Sequence, residues 1–141
     1  MQPITHRELK LLAERYSTDS GILLNARRWS SAYYLAGYAV ECGLKARIAK
    51  SIKARQFPDR VLIEKFYRHD LVLLVGAAEL TSELQVRKSE QGKFRRNGDQ
   101  VATKWRSEAR YLSVSRAIAE EMVHAVNDPR EGVLPWLRSL W

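Results

Sequence analysis

Small residues recur through the stretch "SSAYYLAGYAVECGLKARIAK", which begins at Ser30: Ala32, Ala36, Ala39, Gly43 and Ala46. Their spacing of four, three, four and three puts all five on one face of an α-helix. A face with so little bulk lets a neighbouring backbone come unusually near, and this constrains the fold more than any other feature of the chain. The natural neighbour is the preceding helix, joined by a short turn and therefore antiparallel.

The same helix carries a second stripe, Tyr34, Tyr38, Glu41 and Lys45, spaced four, three and four. Glu41 and Lys45 stand in the favourable order for an i,i+4 pair. Two readings stay open for this stripe. It is a half-buried face with packed rings and wet hydroxyls, or it is a dimer or ligand surface where rings, a carboxylate and an ammonium converge.

Elsewhere apolar residues also recur at helical spacing, without the two-residue alternation of strands. A first helix is expected from Pro3 or Thr5 to about Arg27, with Leu9, Leu12, Tyr16, Leu23 and Ala26 along one face. It crosses "STDSG", whose Gly21 costs about 1 kcal/mol against alanine. "RRWSS" reads as the turn, with Ser30 or Ser31 as the next cap. The second helix then runs to about Arg55, just before Pro58. A connecting segment "QFPDRVLIEKFYRHD" follows, with Asp70 as a possible cap for the buried "LVLLVGAAEL". "TSELQVRKSEQG" reads as an exposed helix, "KFRRNGDQ" contains an Asn-Gly turn signal, and "VATKWRSEARYL" is a short helix or irregular. "SVSRAIAEEMVHAV" is amphipathic, and Pro129 opens the tail. The expectation is one all-α domain over residues 1–141, an antiparallel bundle of five or six helices.

The chain has 141 residues, 45% of them hydrophobic, and a net charge of +8. Such a length and content support one packed core. The charge favours acidic partners such as nucleic acid, nucleotides, an acidic protein or an anionic surface. The lone Cys42 allows no internal disulfide. "MQPITHRELK" lacks the apolar core of a signal peptide, and no apolar run approaches the roughly 18 residues needed to cross a bilayer. A cytoplasmic protein without a membrane role is expected. No metal-spaced His/Cys cluster, phosphate loop or nucleophile elbow is present, so neither a metal nor a cofactor is expected.

"ARRWSSAYYLAGYAVECGLKARIAK" resembles the second-helix region of HEPN domains (higher eukaryotes and prokaryotes nucleotide-binding). Those domains show a small residue, an aromatic pair and then A-x-E-x-x-L-K, matched at the end by Val40, Glu41, Leu44 and Lys45. "RHDLVLLV" is similar to the family's histidine before a leucine-rich third helix, and "RYL…AIAEEMVHAV…GVLPWLRSLW" to the end of its prokaryotic branch. The resemblance implies a helical bundle, usually homodimeric, and RNA or nucleotide binding. In bacteria it further implies the toxin-type half of a toxin–antitoxin or defence module, with a minimal nucleotidyltransferase as partner. Several members are metal-independent ribonucleases with an arginine, four to six residues, then a histidine.

This chain departs from that signature. His6 has no preceding arginine, His69 follows Arg68 directly and Arg60 by more than six residues, and Arg116 and His124 stand eight apart, about 12 Å along a helix. Arg68 with His69 nevertheless supplies a cation and a proton carrier side by side, with Asp70 to orient the ring or cap a helix. The plainer reading is that His69 packs at the start of the next helix, bonded to backbone or a carboxylate, in which case removing it destabilises the fold. Cys42 reads as an inert core thiol.

Between Arg87 and Arg110 lie Arg87, Lys88, Lys93, Arg95, Arg96, Lys104, Arg106 and Arg110, interleaved with Phe94 and Trp105 and followed by Tyr111. Cations beside stackable rings suit single-stranded RNA or a nucleotide, and Arg95, Arg96, Lys104, Trp105, Arg106 and Arg110 are the candidate contacts. A second basic run covers Lys45 to Lys53 and Arg55. Side by side, the two runs would make a groove. The competing expectation is an interaction module that holds a partner protein through Tyr34, Tyr38 and the tryptophan-rich tail.

Overall fold

The computed structural model describes residues 4–53 and 60–141, except the side chain of Lys53. Among these residues the chain is helical and contains no strand. Helix α1 spans His6–Asn25. A reciprocal capping box opens it: Thr5 Oγ1 accepts from the Glu8 amide, and the Glu8 carboxylate accepts from the Thr5 amide. Its end is a Schellman turn. The Arg28 amide bonds the Leu23 carbonyl at 2.8 Å and the Arg27 amide bonds Leu24 at 3.1 Å, with Arg27 in the left-handed region at φ 61°.

Helix α2, Trp29–Lys53, starts earlier than a serine cap would place it. Ser30 lies inside the helix, and its hydroxyl instead accepts from the Val114 amide at 3.0 Å. The expected extension to Arg55, and Pro58 beyond it, fall outside the described residues, as do Pro3 and all of "QFPD". The α1–α2 pair is antiparallel. Tyr16 and Tyr38, each eleven residues from the turn at Arg27, touch with ring centroids 5.1 Å apart, and Thr5 and His6 lie near Ala49 and Ile52.

The small-residue seam is buried throughout, with Ala32, Ala36, Ala39 and Ala46 fully enclosed. Its neighbours are more varied than one helix. A Cβ on Gly43 would sit 3.2 Å from both Leu137 and Trp141. The closest approach is at Gly37, outside the seam as read from sequence, where a Cβ would run into the indole of Trp105. Trp105 is buried, and its Nε1 donates to the Tyr34 carbonyl at 3.1 Å.

The remaining described residues form shorter elements, α3 Arg60–Phe66, α4 Leu71–Ala77, α5 Thr81–Ser89, α6 Phe94–Lys104, a 3₁₀ turn Ser107–Tyr111, α7 Arg116–Asn127 and α8 Val133–Arg138, so that the described residues hold eight α-helices where five or six were expected. Asp70 caps α4, its Oδ1 accepting from the Leu73 amide at 3.0 Å, and Ser115 caps α7. The Asn-Gly signal in "KFRRNGDQ" makes no turn. Asn97 and Gly98 are buried inside α6 because Phe94 and Val101 bury the same side, and Asn97 Nδ2 donates to the Glu131 carbonyl at 2.9 Å. "STDSG" likewise stays helical for a long-range reason. Ser17 Oγ donates to Asn127 Oδ1 at 2.7 Å, while Asn127 Nδ2 donates to Ser20 Oγ and the Ser17 carbonyl, clasping α1 to α7.

Helices α1, α4, α7 and α8 and the 3₁₀ turn all pack on α2, and their buried residues join one hydrophobic cluster. Trp29, Trp136 and Trp141 are partly buried against that cluster, so the tail tryptophans serve their own core. Among the described residues no helix is long and apolar enough to cross a membrane.

Candidate functional site

Glu41 projects from the middle of α2 and is almost completely buried. Burying a carboxylate is costly unless it is paired and hydrogen-bonded. Two groups meet that need. Lys45 Nζ, one turn on, lies 3.4 Å from Oε2. His69 Nδ1, from the connection between α3 and α4, lies 3.0 Å from Oε1. With Glu41 ionised, its carboxylate can only accept; the bond then needs the hydrogen on Nδ1 and leaves Nε2 as the free ring nitrogen. The His69 side chain is 54% exposed.

The backbone explains how His69 reaches Glu41. As α3 ends, the Tyr67 and Arg68 amides bond the Glu64 and Lys65 carbonyls. Asp70 then opens α4 as its cap, which is the second of its two expected roles; the ring is oriented by Glu41 and not by Asp70. His69 stands between these two devices. It makes the expected bond to a carboxylate just before α4, but its side chain is exposed rather than packed. Arg68 is exposed and has no ion-pair partner among the described residues. Lys45 Nζ also lies 5.6 Å from the centroid of the Phe66 ring.

The stripe of α2 continues away from this corner. The Tyr34 and Tyr38 rings stack with centroids 5.8 Å apart, and Tyr34 stacks on Trp105 at 6.0 Å. Burial, with Cys42 and Glu41 nearby, pushes the Tyr38 hydroxyl up to about 12. Burial also pushes the Cys42 thiol up to about 12, and Glu41 adds to it. Both groups therefore stay protonated at neutral pH. The Tyr34 hydroxyl is raised by burial and pulled back by the Arg110 guanidinium beside it.

Several cations of the basic segment are already paired within the fold. Arg87 is tied to Glu90 and Glu131, both at 3.1 Å, and Lys88 to Asp99 at 2.7 Å. Trp105 is in the core, so its ring cannot serve as the stacking platform read from the sequence. Arg106 Nη1 is occupied by the Ala102 and Trp105 carbonyls. Lys104 is exposed, and its carbonyl accepts from Tyr33 Oη at 3.0 Å. Arg95 and Arg96 are exposed on α6 without an ion-pair partner among the described residues. The principal neighbours of α6 are α7, α5 and α8. The end of the run that starts at Lys45, the Lys53 side chain and Arg55, lies outside the described residues.

The other histidine pairing is dispersed. Arg116 pairs with Glu120 at 2.6 Å, and His124 with Asp128 at 3.5 Å. Among the described residues no three His, Cys, Asp or Glu side chains converge as a metal site would need. The geometry thus merges two sets the sequence kept apart, Arg68–His69 and the Glu41–Lys45 end of the stripe. The proximity of Arg110 to Tyr34 was not foreseen at all. A scan against protein-family models finds no match for the chain, and neither curated proteins nor solved structures yield one.

Proposed function

We propose that this is a HEPN-like protein that binds RNA or a nucleotide, with its phosphate site at the corner formed by Arg68, His69 and Lys45. The observation that carries the reading is the setting of His69. A buried carboxylate holds one ring nitrogen, the rest of the ring is open to solvent, and an exposed arginine without a partner among the described residues is adjacent in the chain. The Arg68 guanidinium is the exposed cation beside this ring, and a guanidinium attracts phosphate. The overall charge of +8 points the same way. The resemblance of the second helix to HEPN domains extends the proposal to a homodimer and to the toxin-type half of a cytoplasmic two-gene module with a nucleotidyltransferase.

A second reading, ribonuclease, is favoured by the Glu41–His69 bond itself. Histidine exchanges protons near neutral pH, and a carboxylate on one nitrogen fixes which nitrogen does so. His69 Nε2 would take the proton of a ribose 2′-hydroxyl, whose oxygen attacks the adjacent phosphorus. The bond from phosphorus to the 5′-oxygen then breaks, the 5′-oxygen taking a proton from water, which gives a 2′,3′-cyclic phosphate and a free 5′-hydroxyl. Arg68 would stabilise the charge gathering on the phosphoryl oxygens. Incubating labelled RNA with the protein tests both readings, with anisotropy reporting binding and a denaturing gel reporting cleavage. Binding that Arg68→Ala weakens supports the first reading. Cleavage lost in His69→Ala supports the second, and no interaction at all refutes both.

A further inference from the structure

The phosphate corner lies at one end of the α2 stripe, and a second basic site lies at the other. Arg110 sits beside the Tyr34 hydroxyl and 4.9 Å from the centroid of the Tyr111 ring, with no acidic partner among the described residues. It borders an open groove of about 330 Å³ that is also lined by Leu23, Ser31, Tyr34, Leu35 and Leu112. The groove joins one cation to apolar walls and a hydroxyl, and Tyr111, 76% exposed, adjoins it in the chain. A nucleotide needs that combination: a cation for its phosphate, and apolar or aromatic surface for its base.

Tyr34 and Lys45, at the two ends, share one side of α2 with the half-buried Tyr38 and the enclosed Glu41. From residue 34 to residue 45 the helix rises about 16 Å. A strand with its bases stacked covers that distance in about five nucleotides, at roughly 3.4 Å each, and an extended strand in fewer. Tyr34 and Tyr38 are half-buried and stack on each other, so bases do not slip between them. The Tyr34 hydroxyl, beside the Arg110 guanidinium, can donate to a phosphate oxygen or to a ribose 2′-hydroxyl.

We infer that Arg110 and its groove form a second nucleotide subsite, joined to the Arg68–His69 corner along the tyrosine stripe, so that the ligand is a single-stranded RNA of about five nucleotides and not a mononucleotide. This inference rests on the proposed phosphate corner. It assigns the two ends different tasks: the corner grips the phosphate nearest His69, and Arg110 sets the length of strand that is held.

Length-dependent binding tests it. Synthetic single-stranded RNAs of two and of six nucleotides are titrated into the wild type, Arg110→Ala, Tyr34→Phe and Arg68→Ala, with binding followed by NMR and melting curves as a check on folding. In the wild type the hexanucleotide should bind at least tenfold more tightly than the dinucleotide. Arg110→Ala should remove most of that advantage and leave the dinucleotide unchanged, and Tyr34→Phe should remove a smaller part. Arg68→Ala should weaken both RNAs. If Arg68→Ala weakens both but Arg110→Ala leaves the hexanucleotide unchanged, the second subsite is overturned and the corner stands. If neither RNA binds the folded wild type, the corner and the subsite fall together.

Discussion

Glu41 Oε1 and His69 Nδ1 lie 3.0 Å apart although 28 residues separate them in the chain. One belongs to the most enclosed helix of the fold and the other to an exposed connection. The contact is therefore a place where the rigid core sets the position of a solvent-facing group.

That asymmetry predicts different outcomes at its two ends. Glu41→Gln removes an almost completely buried carboxylate from its partners Lys45 and His69, and should cost about 1–3 kcal/mol. His69→Ala removes a half-exposed ring and leaves Glu41 paired with Lys45, so its cost should stay at or below about 1 kcal/mol. This reverses the sequence-based expectation that removing His69 destabilises a packed element. Urea denaturation of both variants checks the order. A His69→Ala cost as large as that of Glu41→Gln would show the ring to be structural.

The glycines of the first two helices should also respond in opposite directions. Gly37→Ala places a methyl group into the indole of Trp105, which is buried and bonded to the Tyr34 carbonyl. Overpacking of this kind costs about 1–3 kcal/mol. Gly21 has nothing within 4 Å of a new Cβ, so Gly21→Ala should stabilise the helix by about 0.5–1 kcal/mol. Thermal melts of the two variants should bracket the wild type.

The parts of the fold legible in the sequence were those set by local pattern: the seam of Ala32, Ala36, Ala39, Gly43 and Ala46, the Glu41–Lys45 pair, the cap at Asp70 and the start of α1 near Thr5. What was misread depends on partners far away in the chain. Asn97-Gly98 looks like a turn until Glu131 bonds Asn97 from 34 residues downstream. The continuity of α1 across Ser17 and Ser20 was expected, but the clasp from Asn127 that accompanies it was not. Trp105 looks like a stacking platform among cations, yet only the missing side chain of Gly37 gives it room in the core. The site was half legible for the same reason. Arg68, His69, Glu41 and Lys45 were each visible as chemistry, but nothing in their spacing joins the connection before α4 to the middle of α2.

Stability should fall at alkaline pH for an identifiable reason. Burial raises the Tyr38 hydroxyl from 10.0 and the Cys42 thiol from 9.0, each to about 12. A group whose pKa is higher in the folded state contributes stability that is complete below its unfolded value and lost as pH rises through the folded one. The urea midpoint should therefore lose this contribution from about pH 9 to about pH 12, and Tyr38→Phe and Cys42→Ala should each make the decline shallower. A decline of equal slope in both variants would assign it to other groups.

The most direct test of the account is the binding of a fluorescein-labelled six-nucleotide RNA, followed by anisotropy at two salt concentrations. The account predicts binding that weakens steeply as salt rises, because phosphate contacts release counterions. Arg68→Ala should weaken it about tenfold, equivalent to about 1.4 kcal/mol, and lower the salt slope by about one contact, with the melting curve unchanged. Absence of binding, or binding of the same strength and salt dependence in folded Arg68→Ala, would contradict it.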